Sequence, residues 1–192
     1  WIAEKEICIE AINRKFGTTQ LIVRSSASDE DGTSCSRAGA YSSVLDVASD
    51  KPHELISSIE TVLDSYRQKG AGVSGQSIIL QRMISDVSVS GVVFTYDLNT
   101  GAPYYVVNYD DVSGLTNTVT SGEGDYSNRT LYVHRSSGGE LRSERFKRLI
   151  AAVQELEQLL GNRYLDIEFA FDKTLQPYLL QVRAITTGPN WN

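Results

Sequence analysis

Apolar residues recur along the chain with two different spacings, and the change from one to the other organises it. Near the start Cys8, Ile12 and Phe16 fall four residues apart, with Glu4, Lys5, Arg14 and Lys15 largely off that face. That spacing predicts a helix closed by Gly17. Leu21-Ile22-Val23 reads as a short buried strand running into Arg24-Ser25-Ser26. The small, polar and acidic stretch Ala27 to Gly39 reads as a loop, and Tyr41 to Val47 as a further strand. The second helix has the clearest stripe, made by Leu55, Ile56, Ile59, Val62, Leu63 and Tyr66. Ser49 or Asp50 could cap it, Pro52 suits its first turn, and Gly70 to Gly75 ends it.

From Ser77 the helical period gives way to alternation. Ile78 to Met83, Val87 to Thr95, Tyr104 to Tyr109 and Arg129 to His134 read as strands rich in Val, Ile and Tyr, with a turn at Asn99-Thr100-Gly101. Ser136 to Gly139 reads as a loop. A third helix follows, with Ser143 as its cap, Phe146, Leu149, Ile150, Val153, Leu156 and Leu160 inside, and Gly161 as its stop. Two strands close the chain, Tyr164 to Asp172 and Pro177 to Ala184, joined by a turn around Lys173-Thr174. Helices mixed with a run of consecutive strands predict an α+β fold with mainly antiparallel sheets.

A chain of 192 residues is expected to be a single domain spanning 1–192, able to bury about 70% of its unfolded surface without disulfides. Cys8 and Cys35 are too few for a disulfide framework or a four-ligand zinc site. As reduced cysteines they suit a cytoplasmic protein. With 18 Lys and Arg against 24 Asp and Glu, the net charge of −6 disfavours broad electrostatic binding to nucleic acid or to an anionic membrane. No apolar run approaches the roughly 18 residues of a membrane span, and no charged-then-apolar leader opens the chain. The chain begins with Trp1 rather than Met, which predicts a processed chain or an excerpt of a longer one.

The candidate chemistry lies in the last two strands. In the first of them Leu165, Ile167, Phe169 and Phe171 share one face, and Asp166, Glu168 and Ala170 the other. In its partner Tyr178, Leu180 and Val182 alternate with Leu179, Gln181 and Arg183. The antiparallel register that avoids burying charges against phenylalanines puts Asp166, Glu168, Gln181 and Arg183 on one face. Two carboxylates, an amide oxygen and a guanidinium within two rungs suit magnesium and polyphosphate, since magnesium takes hard oxygens and arginine forks onto phosphate. A solvated face with a cross-strand salt bridge would carry the same residues. Arg24-Ser25-Ser26, at a strand end, can hold phosphate oxygens together with backbone N–H groups. Arg24 could equally pair with Asp29, Glu30 or Asp31.

Taken in order, five motifs make a resemblance. Val23-Arg24-Ser25-Ser26-Ala27 leads into Glu30-Asp31, Ala38-Gly39 and Leu45-Asp46-Val47. Gln81-Arg82-Met83-Ile84 and Ser90-Gly91-Val92-Val93-Phe94-Thr95 come next, then Asp166-Ile167-Glu168 and Gln181-Val182-Arg183-Ala184-Ile185-Thr186. This series resembles the ATP-grasp nucleotide-binding domain of the phosphoenolpyruvate synthase and pyruvate phosphate dikinase family. The resemblance implies an ATP-grasp-like fold, mainly antiparallel sheet with flanking helices, forming one domain of a longer multidomain phosphotransferase. It implies ATP and Mg2+ as cofactors. Arg24 and Arg183 would contact the ATP phosphates as catalytic residues. Glu168 and Gln181 would bind magnesium, with Asp166 in support, and Ser25, Ser26 and Thr95 would lie near the nucleotide. In such enzymes a phosphoryl group passes from ATP to a histidine on a separate domain and then to pyruvate or another small molecule. Those further domains of the same longer chain are the implied partners, with no nucleic acid and no membrane.

The chain also departs from the family pattern. Asp97 is followed by Leu98 rather than proline, the family's Gly-Leu-Gly-Glu run reads Gly114-Leu115-Thr116-Asn117, and Arg37 replaces an aromatic. Only 23 residues precede Arg24, so part of the N-terminal lobe and its phosphate-binding lysine are expected to be missing, Lys5 and Lys15 lacking the right setting. His53 and His134 lack the family's threonine-rich histidine motif and read as structural. This fragment is therefore expected to be inactive alone. The alternatives are the ATP half of a related antibiotic- or glucan-phosphorylating enzyme, and a non-catalytic nucleotide-sensing module. Gly70 to Gly75 spells G-x-G-x-x-G but follows a helix and precedes a strand, the reverse of a dinucleotide fingerprint. Asn128-Arg129-Thr130 is a glycosylation sequon by letter only.

Overall fold

A computed structural model describes residues 1, 4–26, 41–70, 75–112, 129–137 and 141–185. The α+β expectation holds: three helices and eight strands, with every strand pairing antiparallel among the described residues. The loop 27–39, Arg37, Gly114 to Asn117, Asn128, the centre of the Gly70 to Gly75 run and Thr186 lie outside the described residues. The chain divides into two compact units, Trp1–Met83 and Ile84–Asn192.

In the first unit α1 (Lys5–Phe16) and α2 (Pro52–Gln68) cover one face of a three-stranded sheet. Its strands are β1 (Gln20–Ser26), β2 (Ser43–Ala48) and β3 (Ser77–Arg82), in the order β2-β1-β3. The stripe of α2 buries Leu55, Ile59, Val62, Leu63 and Tyr66 against Leu21 and Val23 of β1. On α1 the deepest residue is Ile9, whereas Cys8, Ile12 and Phe16 are half-buried, so the true stripe lies one position round from the expected one. Neither Ser49 nor Asp50 caps α2; Lys51 holds that position without a side-chain bond, and Pro52 follows it. Ser49 is instead fully buried, donating to the Gly17 carbonyl (2.5 Å) and accepting from the Thr19 amide (2.9 Å). That ties the end of α1 to the end of β2. Tyr66 accepts from the Ser26 amide (2.8 Å) and donates to the Ser77 carbonyl (2.7 Å), which closes the far end of the β1–β3 ladder.

The second unit is a five-stranded sheet in the order β6-β5-β4-β7-β8, with α3 (Glu144–Leu160) packed on one face. Its strands are β4 (Val87–Phe94), β5 (Tyr104–Asp110), β6 (Arg129–His134), β7 (Leu165–Asp172) and β8 (Pro177–Ala184). Val89, Val93, Tyr105, Val107, Val133, Ile167, Phe169 and Phe171 meet Phe146, Leu149, Ile150 and Val153 of α3 there. Gly91 is required on β4 by close approach, since a Cβ would stand 2.1 Å from the Asn108 carbonyl oxygen and 3.0 Å from the Phe169 ring. Ser143 stands at the N-cap of α3 without a side-chain bond, and Gly161 ends the helix in the left-handed region at φ 59°.

Candidate functional site

Alternation puts the odd residues of β7 against α3 and turns its even residues to the opposite face. On that face Asp166 stands directly opposite Arg183, and Glu168 directly opposite Gln181. The expected register therefore holds over the two rungs that matter. It then breaks: between Glu168 and Phe169 the pairing slips, and Phe169 faces Leu179 rather than Leu180. This bulge corrects the faces expected for the start of β8. Leu179 packs into the core beside Val182, and Tyr178 moves opposite Ala170, where its hydroxyl donates to Asp172 Oδ2 at 3.1 Å.

Two of the charges on this face stand close together. Arg183 Nη1 lies 3.7 Å from Glu168 Oε1, an ion pair beyond hydrogen-bond reach, with both side chains largely buried. Asp166 Oδ1 is buried and accepts no hydrogen bond. Burial pushes the Asp166 carboxyl up to about 6 from 3.8; Arg183 pulls it down, and Glu168 adds to the rise. A buried carboxylate oxygen with no donor, beside a second carboxylate, is a place where a cation or a phosphate-bound metal gains most. The donor set therefore fits magnesium, with oxygens from Asp166, Glu168 and Gln181. Among the described residues no group of three or more His, Cys, Asp and Glu side chains is placed to hold a metal ion by itself.

Arg24, Ser25 and Ser26 belong to the first unit. Leu21, Val23 and Ser25 of β1 are buried, while Ile22, Arg24 and Ser26 are half-buried on the face turned from the helices. Arg24 stands between Ser43 and Ile79. Thr95 is wholly buried, and its hydroxyl is committed within the fold. It donates to the Arg163 carbonyl (2.7 Å) and accepts from the Leu165 amide (2.7 Å), because β4 ends against the start of β7 at that point. Thr95 thus fixes backbone rather than presenting its hydroxyl to a ligand. His134 bonds Ser136 Oγ at 2.7 Å.

Two features of this unit were not anticipated. Asp110 and Ser90 are buried in the rung of Ala170, on the same face as Glu168. Asp110 sits one residue past the expected end of its strand, where alternation no longer assigns a face. Arg135 and Glu157 form a buried pair behind the sheet, bonded Nη1 to Oε1 and Nη2 to Oε2 at 2.8 Å each. The signal for it was a glutamate inside the apolar stripe of α3, four residues after Val153.

A model of the pyruvate phosphate dikinase AMP/ATP-binding domain matches residues 3–139. The chain belongs to this family. It is thus an ATP-binding domain of a family of ATP-using enzymes. The family match ends before the β7–β8 hairpin. A curated relative, the prodigiosin synthesizing transferase PigC of Serratia marcescens, is 30% identical over 207 residues, which cover 87% of this chain and 23% of that protein. The chain thus spans about a quarter of that relative's length. Among solved structures it is similar to D-alanyl-alanine synthetase A from Vibrio cholerae, with TM-score 0.48 and 18% identity over 93% of this chain and 46% of that one. An L-amino acid ligase from Bacillus licheniformis gives TM-score 0.38 and 15% identity over 94% and 40% of the two chains. No helix among the described residues is long and apolar enough to cross a membrane.

Proposed function

We propose that the two units make one ATP-grasp-like nucleotide-binding domain, 1–192, which holds magnesium-ATP for phosphoryl transfer within a longer enzyme. The single observation that carries this reading is the pair of rungs Asp166–Arg183 and Glu168–Gln181, with Asp166 Oδ1 left without a donor, in a chain of an AMP/ATP-binding family. Arg183 and Arg24 take phosphate oxygens through their guanidinium forks. Ser26, on the same strand face as Arg24, lies near the nucleotide, with the buried Ser25 beside it on the chain. Glu168, Gln181 and Asp166 would hold magnesium, which when bound neutralises phosphate charge and orients the chain for in-line attack. The nucleophile is a histidine imidazole on a separate domain, which then passes the phosphoryl group to pyruvate or another small molecule. The domain's own contribution is positioning and charge neutralisation.

The relationship to PigC favours a second reading, in which the same ATP half serves a biosynthetic transferase with another acceptor. Calorimetric titration of the chain with ATP, with and without magnesium, tests the common core of both. Saturable, magnesium-dependent binding that disappears in Glu168→Ala/Arg183→Ala is the expected result. Binding that survives the double change would overturn the site assignment. In the longer protein, an acid-labile phosphohistidine formed from labelled ATP would support the dikinase reading, and its absence during turnover would favour the second.

A further inference from the structure

We propose that Arg135 is a positioning residue for the nucleotide face, acting through Thr95 on the start of β7; this rests on the nucleotide reading above. Arg135 lies just past β6, on the α3 side of the sheet, and touches none of the four site residues. Its Nη1 donates to the Thr95 carbonyl at 2.9 Å as well as to Glu157. Its guanidinium stacks 4.5 Å from the Tyr105 ring centroid and 4.9 Å from that of Tyr96. Tyr105 donates in turn to Glu157 Oε2 at 3.0 Å. From Thr95 the bonds continue: its amide donates to the Leu165 carbonyl at 3.0 Å, and its hydroxyl accepts from the Leu165 amide. The series Glu157–Arg135–Thr95–Leu165 ends one residue before Asp166.

Stability alone gives little reason for this arrangement. A buried ion pair often contributes no more than apolar residues of the same volume. Apolar side chains could not offer a planar fork that holds Glu157 and the Thr95 carbonyl together. On the opposite face Asp166 Oδ1 accepts no hydrogen bond, so no donor at that atom fixes where the carboxylate stands. A site of that kind depends on the backbone beneath it, and small displacements of reacting groups are costly in rate and affinity. The Arg135 bonds supply that backbone restraint at the end of the sheet where Asp166 and Arg183 face each other.

The test replaces the whole polar group at once, as Arg135→Met/Glu157→Leu/Tyr105→Phe, so that no charge is left buried and unpaired. Three readouts are compared with wild type: the melting temperature, amide hydrogen exchange along β7, and magnesium-ATP affinity by calorimetry. The expected result is a melting temperature close to wild type and faster exchange at 165–168 with 169–172 unchanged. Magnesium-ATP affinity should fall about tenfold or more. Unchanged exchange at 165–168, or unchanged affinity, overturns the proposal while leaving the nucleotide reading intact. A wild-type chain that takes no magnesium-ATP overturns both. If the triple variant fails to fold, Arg135→Lys decides the matter: it keeps the charge and loses the fork. Roughly a threefold loss of affinity is expected from it, and wild-type affinity overturns the proposal.

Discussion

Arg135 with Glu157, and Arg183 with Asp166 and Glu168, are arginine–carboxylate groups on one five-stranded sheet, the first on the face α3 covers and the second on the other. In the first group both carboxylate oxygens are bonded at 2.8 Å and the guanidinium is stacked between two rings. Burial is the largest single influence and works against the Arg135 charge, yet the bonds and charge of Glu157 together with Tyr105 and Tyr96 outweigh it and hold its pKa above the ordinary value. In the second group Arg183 Nη1 stands 3.7 Å from Glu168 Oε1, Asp166 Oδ1 accepts no hydrogen bond, and burial has raised the Asp166 pKa to about 6. The same side-chain types therefore do opposite work. The first, closed group has both carboxylate oxygens committed within the fold and only Arg135 Nε unbonded, so it serves to restrain its surroundings. An open one is held at a cost and gains when something cationic or phosphate-bearing arrives.

The largest effect should come from breaking the closed group on one side only. Glu157→Leu leaves Arg135 buried without its carboxylate, which should cost about 3–5 kcal/mol. Chemical denaturation followed by far-UV circular dichroism would measure it, and a loss under about 1 kcal/mol would mean that solvent reaches this pair.

The open group should respond in the other direction. Because the folded Asp166 pKa lies above 3.8, the fold binds that proton more tightly than the unfolded chain does. Its contribution is therefore most favourable at acid pH and is lost as pH rises from about 4 to about 6. Asp166→Asn should stabilise the protein at pH 7 by at most about 3 kcal/mol, with the gain vanishing near pH 4. Denaturant midpoints of both proteins between pH 4 and pH 8 would show it. The same change should weaken magnesium-ATP binding, so stability and ligand affinity move oppositely. An Asp166→Asn protein that is less stable at pH 7 would place the carboxylate in a satisfied setting like that of Glu157.

Most of this unit could be read from alternation and helical stripes. Arg129–His134 and Pro177–Ala184 have the expected bounds, and the rungs Asp166–Arg183 and Glu168–Gln181 follow from keeping charge away from Phe169 and Phe171. The bulge after Glu168 was not legible, because alternation within a strand carries no count of residues opposite its partner. The closed group was only half legible: Glu157 inside the apolar stripe of α3 signals a buried charge, but nothing along the chain names Arg135, 22 positions away, as its partner. The backbone role of Thr95 was hidden for a related reason. Its place in a nucleotide-binding motif reads the same whether the hydroxyl meets a ligand or the backbone at Leu165. In the first unit Ile9 was missed, since a short helix with Cys8 and Ile12 admits stripes one position apart.

A smaller effect separates the structural and ligand-facing sides of Thr95. Thr95→Val preserves shape but removes the acceptor for the Leu165 amide and the donor to the Arg163 carbonyl, which should cost about 1–3 kcal/mol. Thr95→Ser keeps both bonds and should restore stability and magnesium-ATP affinity together. Were Thr95 a ligand contact instead, Thr95→Val would lower affinity with stability intact.

The smallest change in stability should come from Glu168→Gln, and it is the sharpest probe of how open the second group is. The Glu168–Arg183 contact lies beyond hydrogen-bond reach, so its loss removes little, and the change also takes a like charge away from Asp166. The two effects oppose each other, and the net change should stay within about 1 kcal/mol of wild type. The Asp166 titration should nevertheless move down, because Glu168 is one of the causes that raise it. Carboxyl-carbon NMR across pH 3 to 8 would follow this directly. A fall in the Asp166 midpoint, unchanged stability and lost magnesium dependence of ATP binding are the combined signature of a carboxylate kept for a ligand. A loss of several kcal/mol would instead put Glu168 in the same class as Glu157, a charge the fold itself has already used.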